Sequence, residues 1–435
     1  MSDNEIALNF DTRCLHAGYE PGDRGPRQIP IHQNTTWYFD SSEDMAALFN
    51  LEAAGHFYTR IGNPTNDAVA ARLADLEGGV AAVLTSSGQA AAFFAVFNIC
   101  KAGDHILSTS QIYGGTYNLF ATTLAQMGIE VSFVDSSAPL EELQKAIRPN
   151  TKCVFGETLS NPSLKVLDIE KFATLAHDNG VPLIVDNTFP TPANCRPFEW
   201  GADIVIHSTT KYLDGHSAQL GGAVVDSGNF DWAAYAEKFP GLTKPDDSYH
   251  GLVFTEAFGK GAYITKMVAQ LFRDIGACAA PQNSFLLGMN IESLHLRMDR
   301  HIESAQTVAE WLDGRDDITS VYFPGLAADS QHVLAEKYFD QAGGCGVITF
   351  ELKGSRADTS VFMDALKVAR IATHVADART IVLHPASSTH RQLKDEQLPT
   401  AGVSPTMVRI SVGLEDAKDI IADIEQALNT VQVQS

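Results

Sequence analysis

The chain has 435 residues, 45% of them hydrophobic and 19% charged, so it can hold more than one packed core and has the composition of a globular protein. Its formal net charge of −22 at pH 7 disfavours nucleic acid and anionic membrane surfaces as partners. The N-terminal residues are polar, no apolar run has the length of a membrane span, and the six cysteines are scattered without a C-x-x-C pair. We therefore expect a cytoplasmic protein with reduced thiols, no disulfide framework and no metal site.

Turn signals dominate residues 1 to about 60, for which we predict an irregular arm. A helix is predicted over residues 66–77, where Val69, Leu73 and Leu76 recur at helical spacing, and Gly78 ends it. Short apolar runs then alternate with helical segments. The predicted strands are residues 80–84, 105–108, 131–134, 153–157, 182–186 and 204–207, and the predicted helices are 89–99 and one from about 115. This alternation is typical of a doubly wound α/β domain with a mainly parallel sheet.

The remainder of the chain predicts a second, smaller α/β domain. It contains a long amphipathic helix over 293–311, strands over 346–352 and 408–412, and a final helix over 416–431. We divide the chain into an N-terminal arm (1–62), a large domain (63–265) and a small C-terminal domain (266–435).

Four segments place polar or aromatic residues near predicted strand ends, where open parallel sheets bind ligands. The small residues before Gln89 would let a phosphate approach a helix N-terminus, although a tight turn with a serine cap explains them equally well. Asp186 ends an apolar strand, so its carboxylate requires a cationic partner such as a protonated pyridine nitrogen. An isolated aspartate there is more often structural. Tyr113, before two glycines, could stack on a flat cofactor or belong to the core.

Lys211 is the fourth feature. It follows a buried strand and is flanked by Ser208 and Thr210, whose hydroxyls suit a phosphate. A lysine amine in such a place can form a Schiff base. Phosphate, pyridinium, Schiff base and ring-stacking groups together are the contacts that one pyridoxal 5′-phosphate molecule requires.

Motifs across residues 58–413 also match a known family, and the segment around Lys211 is the most specific of them. The chain resembles the Cys/Met-metabolism family of fold-type-I pyridoxal-phosphate enzymes. That resemblance implies a seven-stranded, mainly parallel sheet in the large domain, flanked by helices, beside a smaller α/β domain. The matching motifs are 58–65 (YTRIGNPT), 86–89 (SSGQ), 113–116 (YGGT), 157–162 (ETLSNP), 185–188 (VDNT), 207–216 (HSTTKYLDGH), 384–386 (HPA) and 409–413 (RISVG).

The same resemblance implies a role for each site residue. Lys211 would carry the cofactor and move protons, and Tyr113 would stack on the ring and share in catalysis. Asn161 and Arg409 would bind the substrate carboxylate. Tyr58 and Arg60, in the arm, would reach the cofactor phosphate of a neighbouring subunit, which implies a homo-oligomer, with a dimer of dimers expected. The full set of implied cofactor-binding residues is Tyr58, Arg60, Gly88, Gln89, Tyr113, Asn161, Asp186, Thr188, Ser208, Thr210 and Lys211.

Finer features resemble the O-acetylhomoserine sulfhydrylase branch of the family. Residues 238–251, an insertion after the lysine segment, are similar to that branch. Arg379 stands near the position where cystathionine enzymes usually carry a glutamate, and Gly115 stands where methionine γ-lyases usually carry a cysteine. The implied reaction is γ-replacement, in which O-acetyl-L-homoserine and sulfide give L-homocysteine and acetate.

Several alternatives stay open from the sequence. A methionine γ-lyase, a cystathionine γ-synthase, and a transferase acting on O-succinylhomoserine or O-acetylserine would share most of these residues. From another class, a non-catalytic cofactor-binding protein would have no chemical reason to keep Lys211, Asp186, Tyr113 and Arg409 together. His374 departs from the small polar residue that is usual in the wider family, next to the substrate carboxylate.

Overall fold

The computed structural model of the protein describes residues 7–388, 391 and 403–434, so residues 1–6 of the predicted arm lie outside the described part. Its strands are β1 (Ala81–Thr85), β2 (His105–Thr109), β3 (Glu130–Val134), β4 (Thr151–Glu157), β5 (Leu183–Asp186), β6 (Ile204–His207), β7 (Gly222–Asp226), β8 (Ile318–Tyr322), β9 (Val347–Leu352), β10 (Arg370–Ile371), β11 (Ile381–Leu383) and β12 (Met407–Ser411).

The α-helices range from one to about five turns. They are α1 (Phe10–His16), α2 (Ser42–Phe49), α3 (Pro64–Glu77), α4 (Gly88–Phe97), α5 (Gly114–Asn118), α6 (Leu140–Ala146), α7 (Ile169–Asp178), α8 (Thr191–Asn194), α9 (Pro240–Thr243), α10 (Phe254–Phe258), α11 (Ala262–Lys266), α12 (Pro281–Ile291), α13 (Leu294–Asp313), α14 (His332–Tyr338), α15 (Arg356–Ala365) and α16 (Ala417–Gln434).

A seven-stranded sheet forms the first half of the molecule, in the order β1-β7-β6-β5-β4-β2-β3. The five strands from β6 to β3 run parallel, and β7 runs antiparallel to both of its neighbours. Strands β2 and β6 are buried along their whole length, as expected for a sheet covered by helices on both faces. The predicted fold class, a fold-type-I large domain with a mainly parallel seven-stranded sheet, is confirmed.

A second sheet of five strands, in the order β10-β11-β12-β9-β8, is mostly antiparallel. Its strands pack with α13, α15 and α16 in a separate hydrophobic core that draws on residues between Ala305 and Leu428. Side chains from Met267 to Ile302 belong instead to the core of the large sheet. The smaller α/β unit is therefore present, and the boundaries at 62/63 and 265/266 remain our proposal.

The prediction that the first 60 residues are irregular was wrong for two segments, α1 and α2. In α2 the reason is local, because the Ser41 hydroxyl accepts a hydrogen bond from Asp44 N at 3.0 Å and caps the helix. The helix predicted over 66–77 is present as α3, and Gly78 ends it with a left-handed φ of 81°. Sequence reasoning did not identify β7 or β8.

Two further features concern the helices and the cysteines. No helix in the part of the chain that the structure describes is long and apolar enough to cross a membrane. All six cysteines are free thiols, and five of them are buried.

Candidate active site

Lys211 lies just beyond β6, at the carboxyl edge of the large sheet, and faces residues from the small sheet. Its Nζ lies 3.1 Å from Nδ1 of His374. Arg409, on β12, donates through Nη1 to Asn161 Oδ1 at 3.0 Å and through Nη2 to the carbonyl of His374 at 3.2 Å. The structure thus places the predicted nucleophile and both predicted carboxylate-binding residues around His374.

Burial sets the charge state of this cluster. Desolvation, with the Arg409 charge as a second cause, lowers the pKa of Lys211 to about 8. Desolvation also lowers the pKa of His374 to about 4, so its imidazole is neutral near pH 7 and its Nδ1 can accept from the lysine ammonium. Nε of Arg409 is buried without a hydrogen-bond partner among the described residues. A substrate carboxylate would accept a hydrogen bond from this Nε.

Asp186, the last residue of β5, lies in a polar cluster. Its Oδ1 accepts from Thr188 N at 3.0 Å and from the Thr188 hydroxyl, which in turn accepts from Ser208 N at 2.8 Å. Burial raises the pKa of Asp186, and the hydrogen bonds from Thr188 oppose that rise. The carboxylate is therefore oriented, and no salt bridge joins it to a cationic side chain among the described residues. Its pairing with a pyridine nitrogen stays a prediction.

Glu157 begins the 157–162 motif, but the sequence predicted no role for it. It ends β4 directly beside Asp186, with which it is paired in the parallel ladder. Burial, together with the charge of Asp186, raises the pKa of Glu157 well above its ordinary value. The sequence did contain a signal for this pair, because the predicted strands β4 and β5 each end in a carboxylate residue.

The backbone at the start of α4 forms a close contact with the lysine segment. A Cβ placed on Gly88 would lie 2.6 Å from Ser208 Cβ and 2.9 Å from Ser208 Oγ, so only glycine fits there. Ser87 caps the helix by accepting from Ala90 N at 3.1 Å. The two explanations of this segment, a phosphate cradle and a capped turn, are compatible. The Gln89 side chain accepts a hydrogen bond from the Thr116 hydroxyl at 3.1 Å.

Tyr113 precedes α5 and is held by its main chain. Its N–H donates to Glu157 Oε2 at 2.6 Å, and its ring is half-exposed. A Cβ on Gly115 would lie 2.4 Å from the Tyr113 ring, so a cysteine there would displace the ring from this position. The ring is therefore available to stack on a ligand at the sheet edge, and it is not a core residue.

Contacts within one chain do not test the phosphate roles predicted for Tyr58, Arg60 and Thr210. Arg60 lies with its guanidinium 5.2 Å from the centre of the Tyr58 ring and near Gly276, and no described contact joins either arm residue to Lys211 or Ser208. The Thr210 hydroxyl is hydrogen-bonded to the main chain of Gly221 at 3.1 Å. Their roles toward a phosphate stay predictions.

A buried polar pair behind the site was also missed. His207, the last residue of β6, lies 2.6 Å through Nε2 from Glu77 Oε1, and both side chains are fully buried. Asn187, next to Asp186, donates to the same oxygen at 3.0 Å. Glu77 directly follows the core residue Leu76 in α3. The helical periodicity therefore identified Glu77 only as the last residue of the helix and did not predict its burial.

These residues fit pyridoxal phosphate. Lys211 is a desolvated amine, Asp186 is an oriented carboxylate, Gly88 provides a close backbone approach beside Ser208, and Tyr113 presents a ring at the edge of the site. A fold-type-I sheet with these groups at its carboxyl edge defines an enzyme that uses this cofactor.

Comparison with known proteins agrees. Residues 11–429 match the family described as Cys/Met metabolism PLP-dependent enzyme. The chain belongs to that family, and it is a PLP-dependent enzyme.

Its relatives are full-length matches. The homocysteine/cysteine synthase of Saccharomyces cerevisiae is 43% identical, over 97% of this chain and 98% of that protein. The O-acetyl-L-homoserine sulfhydrylase of Leptospira meyeri is 42% identical, over 99% of both. A solved structure of a putative O-acetylhomoserine (thiol)-lyase from Campylobacter jejuni, which contains a pyridoxyl-lysine phosphate, superimposes with a TM-score of 0.93 at 37% identity, over 97% of this chain and 100% of that one.

Proposed function

We propose that the protein catalyses γ-replacement on an acylated homoserine, in which O-acetyl-L-homoserine and sulfide give L-homocysteine and acetate. Such a reaction belongs to methionine and cysteine biosynthesis. The relatives named as homocysteine synthase and O-acetylhomoserine sulfhydrylase support the choice, since they match over nearly the full chain. The observation that carries it is that Lys211 and Arg409 both contact His374 while Asn161 contacts Arg409, which brings the base and the carboxylate-binding guanidinium into one site.

In this site Arg409 binds the substrate α-carboxylate through its guanidinium, and Asn161 holds that guanidinium in place. When bound, pyridoxal phosphate supplies an electron-deficient ring that takes up the negative charge formed at Cα. Asp186 keeps the ring nitrogen protonated through its buried carboxylate. Lys211 removes the Cα proton, and after loss of a Cβ proton the Cγ–O bond breaks and acetate leaves. Sulfide then adds at Cγ, and protons return to Cβ and Cα to give homocysteine. His374 accepts a hydrogen bond from the lysine and orients its amine.

Two positions favour sulfide as the incoming nucleophile. The Arg379 side chain forms a salt bridge to Asp377 at 3.0 Å and is 73% exposed, so this position offers no carboxylate to the distal amine of cystathionine. Gly115 leaves the Tyr113 ring where a cysteine would displace it. A nucleophile as small as sulfide needs little recognition surface.

We also propose the assembly and the location. The arm residues Tyr58 and Arg60 complete the site of a neighbouring chain, so the smallest active unit is a dimer, and two such dimers form a tetramer. The free thiols are consistent with a cytoplasmic protein.

The test is a product assay of the cofactor-loaded protein with O-acetylhomoserine and sulfide. Homocysteine is expected as the main product, and Lys211→Ala should abolish both turnover and the visible absorbance of the covalently held cofactor. 2-Oxobutyrate as the main product would favour a γ-lyase. Turnover only with O-succinylhomoserine or O-acetylserine would change the donor. Cofactor absorbance without turnover on any of these donors would favour a non-catalytic binding protein.

A further inference from the structure

The insertion at residues 238–251 builds one wall of a small pocket at the edge of the large sheet opposite to Lys211. Asp104 precedes β2 and Lys152 lies near the start of β4, so both stand at the amino ends of parallel strands. Lys238 and Lys266 close the pocket from the insertion and from α11, and Lys101 lies at its rim. We call this cavity of about 140 Å³ the lysine pocket.

Positive charge exceeds negative charge around the lysine pocket. Lys152 Nζ donates to the carbonyl of Lys238 at 2.5 Å and lies 3.7 Å from Asp104 Oδ1. Lys266 Nζ donates to the carbonyl of Asn98 at 2.7 Å. Lys266 Nζ also donates to Asn98 Oδ1 at 3.3 Å and feels the charge of Asp246. Lys238 Nζ donates to the carbonyl of Asn179, which does not line the pocket. Neither Lys238 nor Lys266 forms a salt bridge within the described part of the chain. Four lysines therefore line a pocket that contains one carboxylate, in a protein whose net charge is −22.

The ammonium groups of Lys152 and Lys266 are held largely out of water, whereas Lys238 is half-buried and Lys101 is exposed. Lys266 is 7% exposed, and the side chain of Lys152 is 12% exposed. Burial lowers the pKa of Lys266 to about 8, and burial, with the charge of Lys152 as second cause, lowers the pKa of Lys238. An ammonium has three donors, and the carbonyl contacts use one or two of them at each lysine. Buried cations with spare donors favour an anionic partner.

The size of the cavity limits what that partner can be. Pockets for cofactors and drug-sized ligands are usually about 300 Å³ or larger, so 140 Å³ suits only a small ion. The lysines that line the cavity come from β4, from α11, from the insertion and from the segment before β2, so they border it on several sides. A tetrahedral dianion can accept from all of them, whereas a carboxylate offers two oxygens on one side.

We propose that the lysine pocket binds a small tetrahedral oxyanion, sulfate or phosphate, and that the bound ion clamps the insertion onto the sheet. The site is separate from the one at Lys211, and the proposal is independent of the reaction proposed above. Because Lys238 belongs to the insertion, the ion would bridge that segment to Lys152 on β4 and Lys266 on α11.

The experiment is calorimetric titration of the cofactor-loaded protein with sodium sulfate and, separately, with sodium phosphate, with ionic strength held constant by chloride. The loaded protein is used so that the phosphate position at Lys211 is occupied. We expect saturable binding of one ion per chain. If only one anion saturates, that anion is the ligand of the pocket. If sulfate and phosphate both saturate, the pocket recognises tetrahedral oxyanions as a class. Absence of saturable binding with either ion in the millimolar range would overturn the proposal.

Matched variants locate the site. Lys238→Gln should weaken the anion at least tenfold, equivalent to about 1.4 kcal/mol. Lys244→Gln should leave binding unchanged, since Lys244 is in the same insertion but is exposed and paired with Glu237. Equal binding by Lys238→Gln and the parent protein would contradict the assignment. If Lys238→Gln does not fold, the parent protein is used instead, and the rate at which an acylating reagent labels each lysine is measured with and without the anion. The anion should then slow labelling of Lys238 and Lys101 but not of Lys244, and equal slowing at all three would overturn the proposal.

Discussion

At the scale of single residues, Lys211 is the residue that we propose as the cofactor-bearing amine, and its environment predicts a pH dependence. Desolvation and Arg409 lower its pKa from 10.5 to about 8, so the neutral, nucleophilic amine becomes populated as the pH rises through about 8. The rate at which the cofactor-free protein takes up pyridoxal phosphate should therefore rise with a midpoint near pH 8. It is measured by stopped-flow absorbance of the bound cofactor.

A matched variant checks the cause of that shift. Arg409→Gln removes the second cause and leaves burial, so its midpoint should move modestly upward. A midpoint near 10.5 in the parent protein would show that Lys211 is solvated in solution.

Asp186 provides a second residue-level prediction. Asp186→Asn keeps the hydrogen-bonding shape toward Thr188 but removes the charge that holds a pyridine nitrogen protonated. The variant should still bind cofactor, as judged by absorbance, and kcat should fall by at least about tenfold. Turnover near that of the parent protein would mean that Asp186 has a structural role only.

The pair formed by Glu77 and His207 contributes at the same scale to stability. Glu77→Ala leaves His207 and Asn187 buried without their acceptor, so the free energy of unfolding should fall by about 3 kcal/mol in urea titrations. Asp75→Ala, on the same helix but in a partly exposed pair with Arg13, should cost less than about 1 kcal/mol. Equal effects of the two substitutions would contradict the importance of the buried pair.

At the scale of elements, the arm offers a test of shared sites. If Arg60 serves the neighbouring chain, then Lys211→Ala and Arg60→Ala proteins, each inactive alone, should regain activity when mixed, because one hybrid site is intact. The measurement is turnover after subunit exchange has been verified by mass spectrometry. Lack of rescue after complete exchange would argue that each chain builds its own site.

Elements with a strong local signal were predictable from sequence. Strand β6 was placed at its observed bounds, because an uninterrupted apolar run needs cover on both faces. Strand β7 was not recognised, since it begins at a glycine pair that reads as a turn. It also lies beside β1, more than a hundred residues earlier in the chain, and no local pattern encodes that antiparallel pairing.

The same contrast holds for the site. The residues on the large sheet edge were predictable because each follows a recognisable strand. The contacts between the two sheets were not. Lys211 and His374 are 163 residues apart and Asn161 and Arg409 are 248 apart, so their proximity depends on how the small unit packs against the large one. Glu157 was missed for a related reason, since its raised pKa comes from burial in the folded protein and from the charge of Asp186 on another strand.

At the scale of the whole molecule, the two sheets contribute residues to a single site. That site contains the proposed base and the guanidinium proposed to bind the substrate carboxylate. The large sheet supplies Lys211 and Asp186, and the small sheet and its loops supply Arg409 and His374. The chemistry allowed by this arrangement is common to several enzymes of the family. The choice of nucleophile distinguishes them, so the central claim is that sulfide is preferred.

The most direct test is a competition, because specificity is a ratio of transition-state affinities. The cofactor-loaded protein is given O-acetylhomoserine with sulfide and cysteine together at equal concentration, and both products are quantified by mass spectrometry. Homocysteine should exceed cystathionine by at least about tenfold, equivalent to roughly 1.4 kcal/mol of discrimination. An excess of cystathionine would contradict the account and make the protein a cystathionine γ-synthase.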